Sequence, residues 1–337
     1  MTDTFAGHLG RPLARAFTAE APGDPLPPGP RTNAWQGAGA VTDEPGAELT
    51  RLVEALWRPG PPHRALDGTA TGIRRRPVPS AGACYPVQTH VVAGGARWAF
   101  DHEHGVSRRR DPSAERAAGW PEGAASPDTA TIVFTVQPGR SFGRYRHRAW
   151  PLWIADAAYA LAAAELVLGR PPTSVRLGPS ARMRALLAVP PAARAHAWTD
   201  LGLAPEIPLV AFDVTARPDL APAAVHALGR RRSPSVDVFL ARAERRRPLN
   251  GVERIARAAG QAWVRGAASV RSWSVPVASS PAALAHALWA GHLAAARLAY
   301  AAALRGAGTR AVSGLPAQGD RWTFHALAFL DPTGDHP

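Results

Sequence analysis

The chain has 337 residues, with 39 Lys and Arg against 26 Asp and Glu, a formal charge of +13 and 46% hydrophobic residues. That composition supplies core material for one large domain or two related halves, and no uninterrupted apolar run reaches the ~18–20 residues that span a bilayer. A soluble globular protein is expected. None of the basic residues is lysine, so the charge reflects a compositional bias toward Arg and is weak evidence for nucleic-acid binding; it still predicts attraction to anionic partners such as phosphorylated cofactors or acidic peptides. The single Cys84 excludes an intrachain disulfide and a multi-cysteine metal site, and reads as a small buried residue rather than a catalytic thiol. The opening MTDTFAGHLGRPLARAF has no basic start followed by an apolar stretch, which points to a cytoplasmic protein.

Residues 1–45 are rich in Pro, Gly and Ala (APGDPLPPGPRTNAWQGAGA) and lack periodicity, so they read as an arm wrapping a folded unit. Leu49, Leu52, Val53, Leu56 and Trp57 then fall at i, i+3, i+4, i+7 and i+8, between Pro45-Gly46 and Pro59-Gly60, which predicts a helix with one apolar face. Next comes RRRPVPSAGACYPVQTHVVAG, Arg74 to Gly94. Pro79 disfavours helix at Val78, Ser80 can bond within a turn, and Gly82 lacks the Cβ that would keep a flat ligand from the backbone. With three arginines just upstream, this turn suits a phosphorylated planar cofactor or, more plainly, a basic turn before a strand.

VQTHVVAG and ARWAFDHEHGVSRRRD read as a strand, a Gly-Gly turn and a second strand, with DHEHG a solvated hairpin. Thr129 to Gly139 (TATIVFTVQPG) is another strand. Trp150 to Leu168 is apolar nearly all round, which implies a buried helix, and Ile207 to Val214 is a buried strand. A shorter echo follows: Ala282 to Leu304 is again a long Ala-rich buried helix, and TFHALAFLDPTG again ends on a strand. The order predicts two related halves, residues 46–220 and a shortened 221–337 without a counterpart of Pro-Ser-Ala-Gly.

Several chemistries find no support. His102 and His104 lack a cysteine or convincing carboxylate partner, so no metal site is expected. No Walker loop, Gly-x-Ser-x-Gly elbow, Rossmann fingerprint or basic-aromatic ladder is present. His292 reads as a helix histidine with its hydrogen bonds satisfied.

The Arg74 to Val92 stretch resembles the flavin-contacting segment of SagB-type azoline dehydrogenases, FMN enzymes of the nitroreductase superfamily: a basic residue, Pro-Ser-Ala-Gly-Ala, an aromatic, Pro, then a strand. WAFDHEHGVSRR is similar to the hairpin that follows in that family. FGRYRHRAWPLWIADAAYAL resembles the segment entering its central helix, and LGLAPEIPLVAFDV its closing strand. GRRRSPSVDVF resembles the Arg-Arg-Ser-x-Arg-x-Phe signature that holds the flavin phosphate, displaced here to the head of the second half. Ser235 replaces the last arginine; a basic interdomain linker is the competing reading.

The resemblance implies an α+β nitroreductase-like fold, a mainly antiparallel sheet wrapped by helices, with FMN contacted by Arg76, Ser80, Gly82, Arg231, Arg232 and Ser233. It implies oxidation of thiazoline or oxazoline rings to azoles in a ribosomally made peptide. The partners implied are the azoline-containing precursor peptide, a cyclodehydratase and a second copy of the chain. The family's Lys-Tyr pair corresponds to Arg144 and Tyr145, and Arg holds its proton at neutral pH. Tyr145 is then the acid/base residue, with Arg144 favouring its phenolate. A catalytically degenerate scaffold subunit, or a general flavin nitro- or enone-reductase, would carry the same segments.

Overall fold

A computed structural model of the chain describes residues 13, 15, 16, 18, 20, 22–32, 41–64, 69–110, 128–189, 194–245 and 248–330. The first helix, α1 (Ala47–Trp57), buries Leu49, Leu52, Val53, Leu56 and Trp57, the face that the 3.6-residue spacing picks out. The polar Glu48, Arg51, Glu54 and Arg58 point outward and pair at i, i+3 and i, i+4.

A seven-stranded sheet forms the larger layer. Its strands are β1 (Val41–Thr42), β4 (Val87–Ala93), β5 (Ala96–Asp101), β6 (Val106–Arg109), β7 (Thr129–Val136), β8 (Thr173–Leu177) and β9 (Ile207–Thr215). They lie in the order β1-β6-β5-β4-β7-β9-β8, and every pairing is antiparallel. Two further strands, β2 (Pro62–Arg64) and β3 (Ala70–Arg74), pair by themselves. A second, three-stranded sheet has β12 (Arg321–Phe329) between β10 (Ser269–Pro276) and β11 (Thr309–Val312).

Two long helices, α2 (Ala149–Leu168) and α8 (Pro281–Leu304), lie between the sheets. Their Ala-rich surfaces explain the close packing. Tyr159 and Tyr300 meet edge to face, the Tyr300 hydroxyl donates to the Tyr159 carbonyl at 2.9 Å, and Arg297 grips Glu165 through two 2.8 Å bonds at the outer edge. Phe142–Leu168, which includes α2, is the one described helical segment long and apolar enough to cross a membrane, and 83% of its most apolar window is buried inside the protein. Gly291 of α8 lets the Phe324 ring lie against the helix, because a Cβ there would collide with it.

The outer faces are covered by shorter helices. On the large sheet, α3 (Ala181–Leu187) packs Met183 and Leu187 against Val92, Ala99 and Val133, and α4 (Ala195–Asp200) follows it. Helix α5 (Pro222–Arg230) leads into the second part. There α6 (Val236–Ala243) and α7 (Asn250–Ala259) pack Phe239, Val252 and Ile255 on Ala326 and Ala328 of β12. The chain is an α+β assembly of antiparallel sheets wrapped by helices, as the sequence predicts. Residues 22–32 run along 139–148: Leu26 donates to the Gly143 carbonyl at 2.9 Å and Gly29 to that of Gly139 at 3.0 Å, while Arg148 bonds the Glu20 carbonyl.

Glu206, the acid of the Glu-x-Pro segment, fastens the centre of the large sheet. Its carboxylate meets His90 Nε2 of β4 at 2.6 Å and accepts from Thr135 of β7 at 2.7 Å and from Gln137 at 3.2 Å. Burial raises the carboxyl, but His90 and those hydrogen bonds outweigh it and hold Glu206 below its ordinary range. Replacing Glu206 by Ala strands these buried partners, so Glu206→Ala is expected to destabilise the protein by about 3 kcal/mol or more in urea unfolding. A loss under about 1 kcal/mol would show that the cluster does not hold the sheet.

Candidate functional site

A cleft of ≈ 670 Å³ opens between the Pro79–Tyr85 turn, the start of α2, the segment after α5 and the second sheet. All eight residues singled out from the sequence line it: Arg76, Ser80, Gly82, Arg144, Tyr145, Arg231, Arg232 and Ser233. Residues far apart in the chain thus share one wall.

The turn is unusually constrained. Gly82, Ala83 and Tyr85 have φ of 56°, 55° and 46°, and for the two non-glycine residues this left-handed conformation costs ~1–2 kcal/mol each. What holds it is Asp156, on the second turn of α2. Ser80 Oγ donates to Asp156 Oδ2 at 2.6 Å, the Ala81 amide donates to Oδ1 at 3.0 Å, and the Tyr85 amide donates back to Ser80 Oγ at 2.9 Å. Ser80 therefore builds the turn with its hydroxyl instead of presenting a free proton to a ligand. Gly82 is also explained differently: a Cβ there would collide with Tyr145 Oη and crowd the Arg144 guanidinium. The missing side chain makes room for the Tyr145 hydroxyl.

Asp156 is absent from the residues that the sequence singles out, although it is one of two carboxylates in a helix apolar nearly all round, and the one amid its apolar stretch, which is a detectable signal. Burial pushes it up to about 7, only partly offset by the bonds from Ser80 and Ala81.

Tyr145 departs from expectation in its charge state. Arg144 lies 5.6 Å from its ring centroid and favours the phenolate, but burial is the larger effect and Cys84 adds to it, so the phenol is pushed up to about 12. At neutral pH Tyr145 is a proton donor. Cys84 is half-buried, and burial raises its thiol too.

Six arginines line the cleft, Arg75, Arg76, Arg144, Arg231, Arg232 and Arg310, against Asp156 as the one acid. Arg231 donates to the Pro77 carbonyl at 3.2 Å and to Ser233 Oγ at 3.3 Å. Arg232 donates to the carbonyls of Gly229 and Arg231 at 2.8 and 2.7 Å. Burial lowers Arg231, and neither residue has a carboxylate partner among the described residues. Arg310 lies 5.3 Å from the Trp263 ring centroid and bonds the Pro234 carbonyl. Arg75 belongs to the arginine run upstream of the turn, whereas Trp263 and Arg310 carry no motif that could mark them.

Arg76 is built into the wall: it stacks 4.4 Å from the Tyr85 ring centroid and bonds His102 through Nδ1 and the carbonyl, leaving its buried Nε without a partner. Its affinity for a proton falls to about 10, chiefly through burial. His102 is accordingly buried against Trp57 rather than solvated, while His104 is exposed and bonds Asp101 at 2.8 Å. Ser235, in place of the signature's last arginine, caps α6 by accepting from the Val238 amide.

The folded state binds the Asp156 proton more tightly than the unfolded chain does. Stability from this group is therefore present at low pH and lost as pH rises through about 7. Asp156→Asn is neutral at all pH values, so its stability relative to wild type is expected to rise by about 2–3 kcal/mol between pH 5 and pH 8. Urea unfolding at both pH values reads this, and a constant difference would contradict it.

No protein-family profile matches the chain, and no curated protein matches it. Among solved structures it is similar to a crystal structure of an Anabaena variabilis protein described as a "putative nitroreductase", with a TM-score of 0.59 and 13% sequence identity over 98% of this chain and 99% of that one. Likeness at that identity bears on architecture, and it agrees with the layers described above: this chain has a nitroreductase-like α+β fold.

Proposed function

We propose that the protein is an FMN-dependent oxidoreductase, and that its reaction is the oxidation of a thiazoline or oxazoline ring of a ribosomally made peptide to the azole. The observation that carries the first part is the convergence of six arginines and one buried carboxyl on a single cleft behind the Pro79–Tyr85 turn. Arg231 and Arg232, bonded among the described residues only to neutral oxygens, fit a phosphorylated cofactor. Arg231, Arg232 and Ser233 would hold the phosphate, and the turn would flank the planar ring. The ordered resemblance of residues 74–92, 142–161 and 201–214 to azoline dehydrogenases supports the second part, and the precursor peptide and a cyclodehydratase are its natural partners.

FMN supplies a two-electron acceptor when bound. The chain's own residues supply proton control. Tyr145 keeps its phenolic proton, so it donates a hydrogen bond; directed at the azoline nitrogen, that bond would acidify the adjacent ring C–H. Asp156 gains and loses a proton near neutrality and is the acceptor of choice among the cleft-lining groups. Arg144 orients the substrate beside Tyr145. Aromatisation removes a proton from one ring carbon and a hydride from its neighbour, a net loss of two hydrogens.

Charge-assisted bonds to phosphate contribute ~1.5–3 kcal/mol each. The Arg231→Ala, Arg232→Ala double variant is expected to weaken FMN binding at least about tenfold in a fluorescence titration, whereas unchanged affinity would assign the pair to a linker. Tyr145→Phe is expected to retain FMN and lower azole formation about a hundredfold, read by mass spectrometry as the two-hydrogen loss from an azoline peptide. Wild-type turnover in the loaded variant would remove Tyr145 from the mechanism. Failure of flavin-loaded wild type on any azoline peptide would favour the degenerate scaffold.

A further inference from the structure

A second chamber, of ≈ 350 Å³, adjoins the cleft and shares Arg144, Tyr145, Leu152, Gln261, Ser313 and His325 with it. Its inner wall differs in chemistry. There Leu315, Trp322 and Phe324 share the wall with His292, and no Asp or Glu lines it among the described residues. Two arginines, Arg144 and Arg148, also line it, Arg148 bonding the Glu20 carbonyl.

His292 is the unexplained group. It is 2% exposed, and neither ring nitrogen has a hydrogen-bond partner, although the sequence favoured a satisfied helix histidine. A buried imidazole left unbonded costs ~1–3 kcal/mol, and a single substitution to an apolar residue would relieve it. Burial and the neighbouring His325 hold it neutral, so it presents one N–H donor and one acceptor nitrogen. Its neighbours cannot satisfy it. Phe324 and His325 meet it edge to face at centroid distances of 5.2 and 4.8 Å, and His325 Nε2 is already engaged by the Tyr159 hydroxyl at 3.2 Å. Gln261, at the junction, is used at both ends: its amide donates to the Ser313 carbonyl and its carbonyl accepts from Trp263.

We propose that this chamber is a binding subsite for an uncharged, flat heteroaromatic ring, packed among Trp322, Phe324 and His325 and hydrogen-bonded to His292. The aromatic walls favour a planar apolar body. A charged group would be left unpaired beside the neutral imidazoles, and an anion is drawn instead to the arginines, Arg144 and Arg148 at this chamber included. The ring is one belonging to the peptide substrate, next to the ring being oxidised; that assignment rests on the azoline reading, and the subsite itself does not.

The test is binding of 2-methylthiazole-4-carboxamide to the full-length protein, with and without FMN, followed through the ¹⁵N signals of the histidine rings. Saturable binding that moves the His292 signals is expected. His292→Phe should weaken it at least tenfold and His292→Asn, which keeps a donor and an acceptor, by no more than about threefold. Leu315→Trp, which fills the chamber and leaves His292 in place, should also abolish binding and covers the case in which His292→Phe does not fold. The corresponding carboxylate should be indifferent to His292→Phe, because it is drawn to the arginines. Absence of saturable binding, or equal carboxamide affinity for wild type, His292→Phe and Leu315→Trp, would overturn the subsite. Carboxamide binding to a protein that takes up no FMN would instead leave the subsite standing and remove the flavin reading.

Discussion

The Asp156 carboxylate, bonded to Ser80 and Ala81, is the constraint on which the cleft depends. Pro79–Tyr85 contains two non-glycine residues in the left-handed region, a conformation that persists only where surrounding bonds over-determine it. Fixing the turn to α2 sets the approach of Gly82 to Tyr145, the place of Tyr85 over Arg76, and through Arg76 the position of His102 on Trp57. The same carboxyl is buried in the most apolar of the described helices, which raises it to about 7. Structure and proton chemistry here have one origin.

The electrostatics follow from the chain's arginine excess. Arginines gathered in one cleft repel one another and lose hydration, and burial lowers Arg76, Arg231 and Arg310 accordingly. The fold compensates with carbonyl oxygens and aromatic faces rather than carboxylates. These partners stabilise the cations without neutralising them, so the positive potential is kept for an anionic ligand. A cleft whose arginines were paired with acids would bind phosphate far less well.

Several elements were legible in the sequence: α1 from its apolar stripe, α2 and α8 from their uniform apolarity, β7 and β9 from β-branched runs, and β12 as an echo of β9. So was the membership of the site, because Pro-Ser-Ala-Gly and Arg-Arg-Ser are local patterns that the fold brings together. Roles within the site were less legible. Ser80, Gly82 and Arg76 look like ligand contacts in isolation, yet their atoms are engaged by Asp156, Tyr145 and His102, partners distant in sequence. The protonation of Tyr145 reversed for the same reason. An adjacent arginine is visible in sequence, whereas burial, which outweighs it, is a property of the whole fold. His292 reads as an ordinary helix residue until its surroundings prove to be aromatic edges without hydrogen-bonding atoms.

A phosphorylated flavin held in the basic cleft, as proposed, would colour the protein. The most direct measurement is the visible absorption spectrum of the purified full-length protein after incubation with excess FMN and removal of the unbound fraction, with the retained chromophore identified by mass. A yellow protein with one FMN retained per chain is expected. A colourless protein, retaining no flavin under conditions in which it is folded, would contradict it.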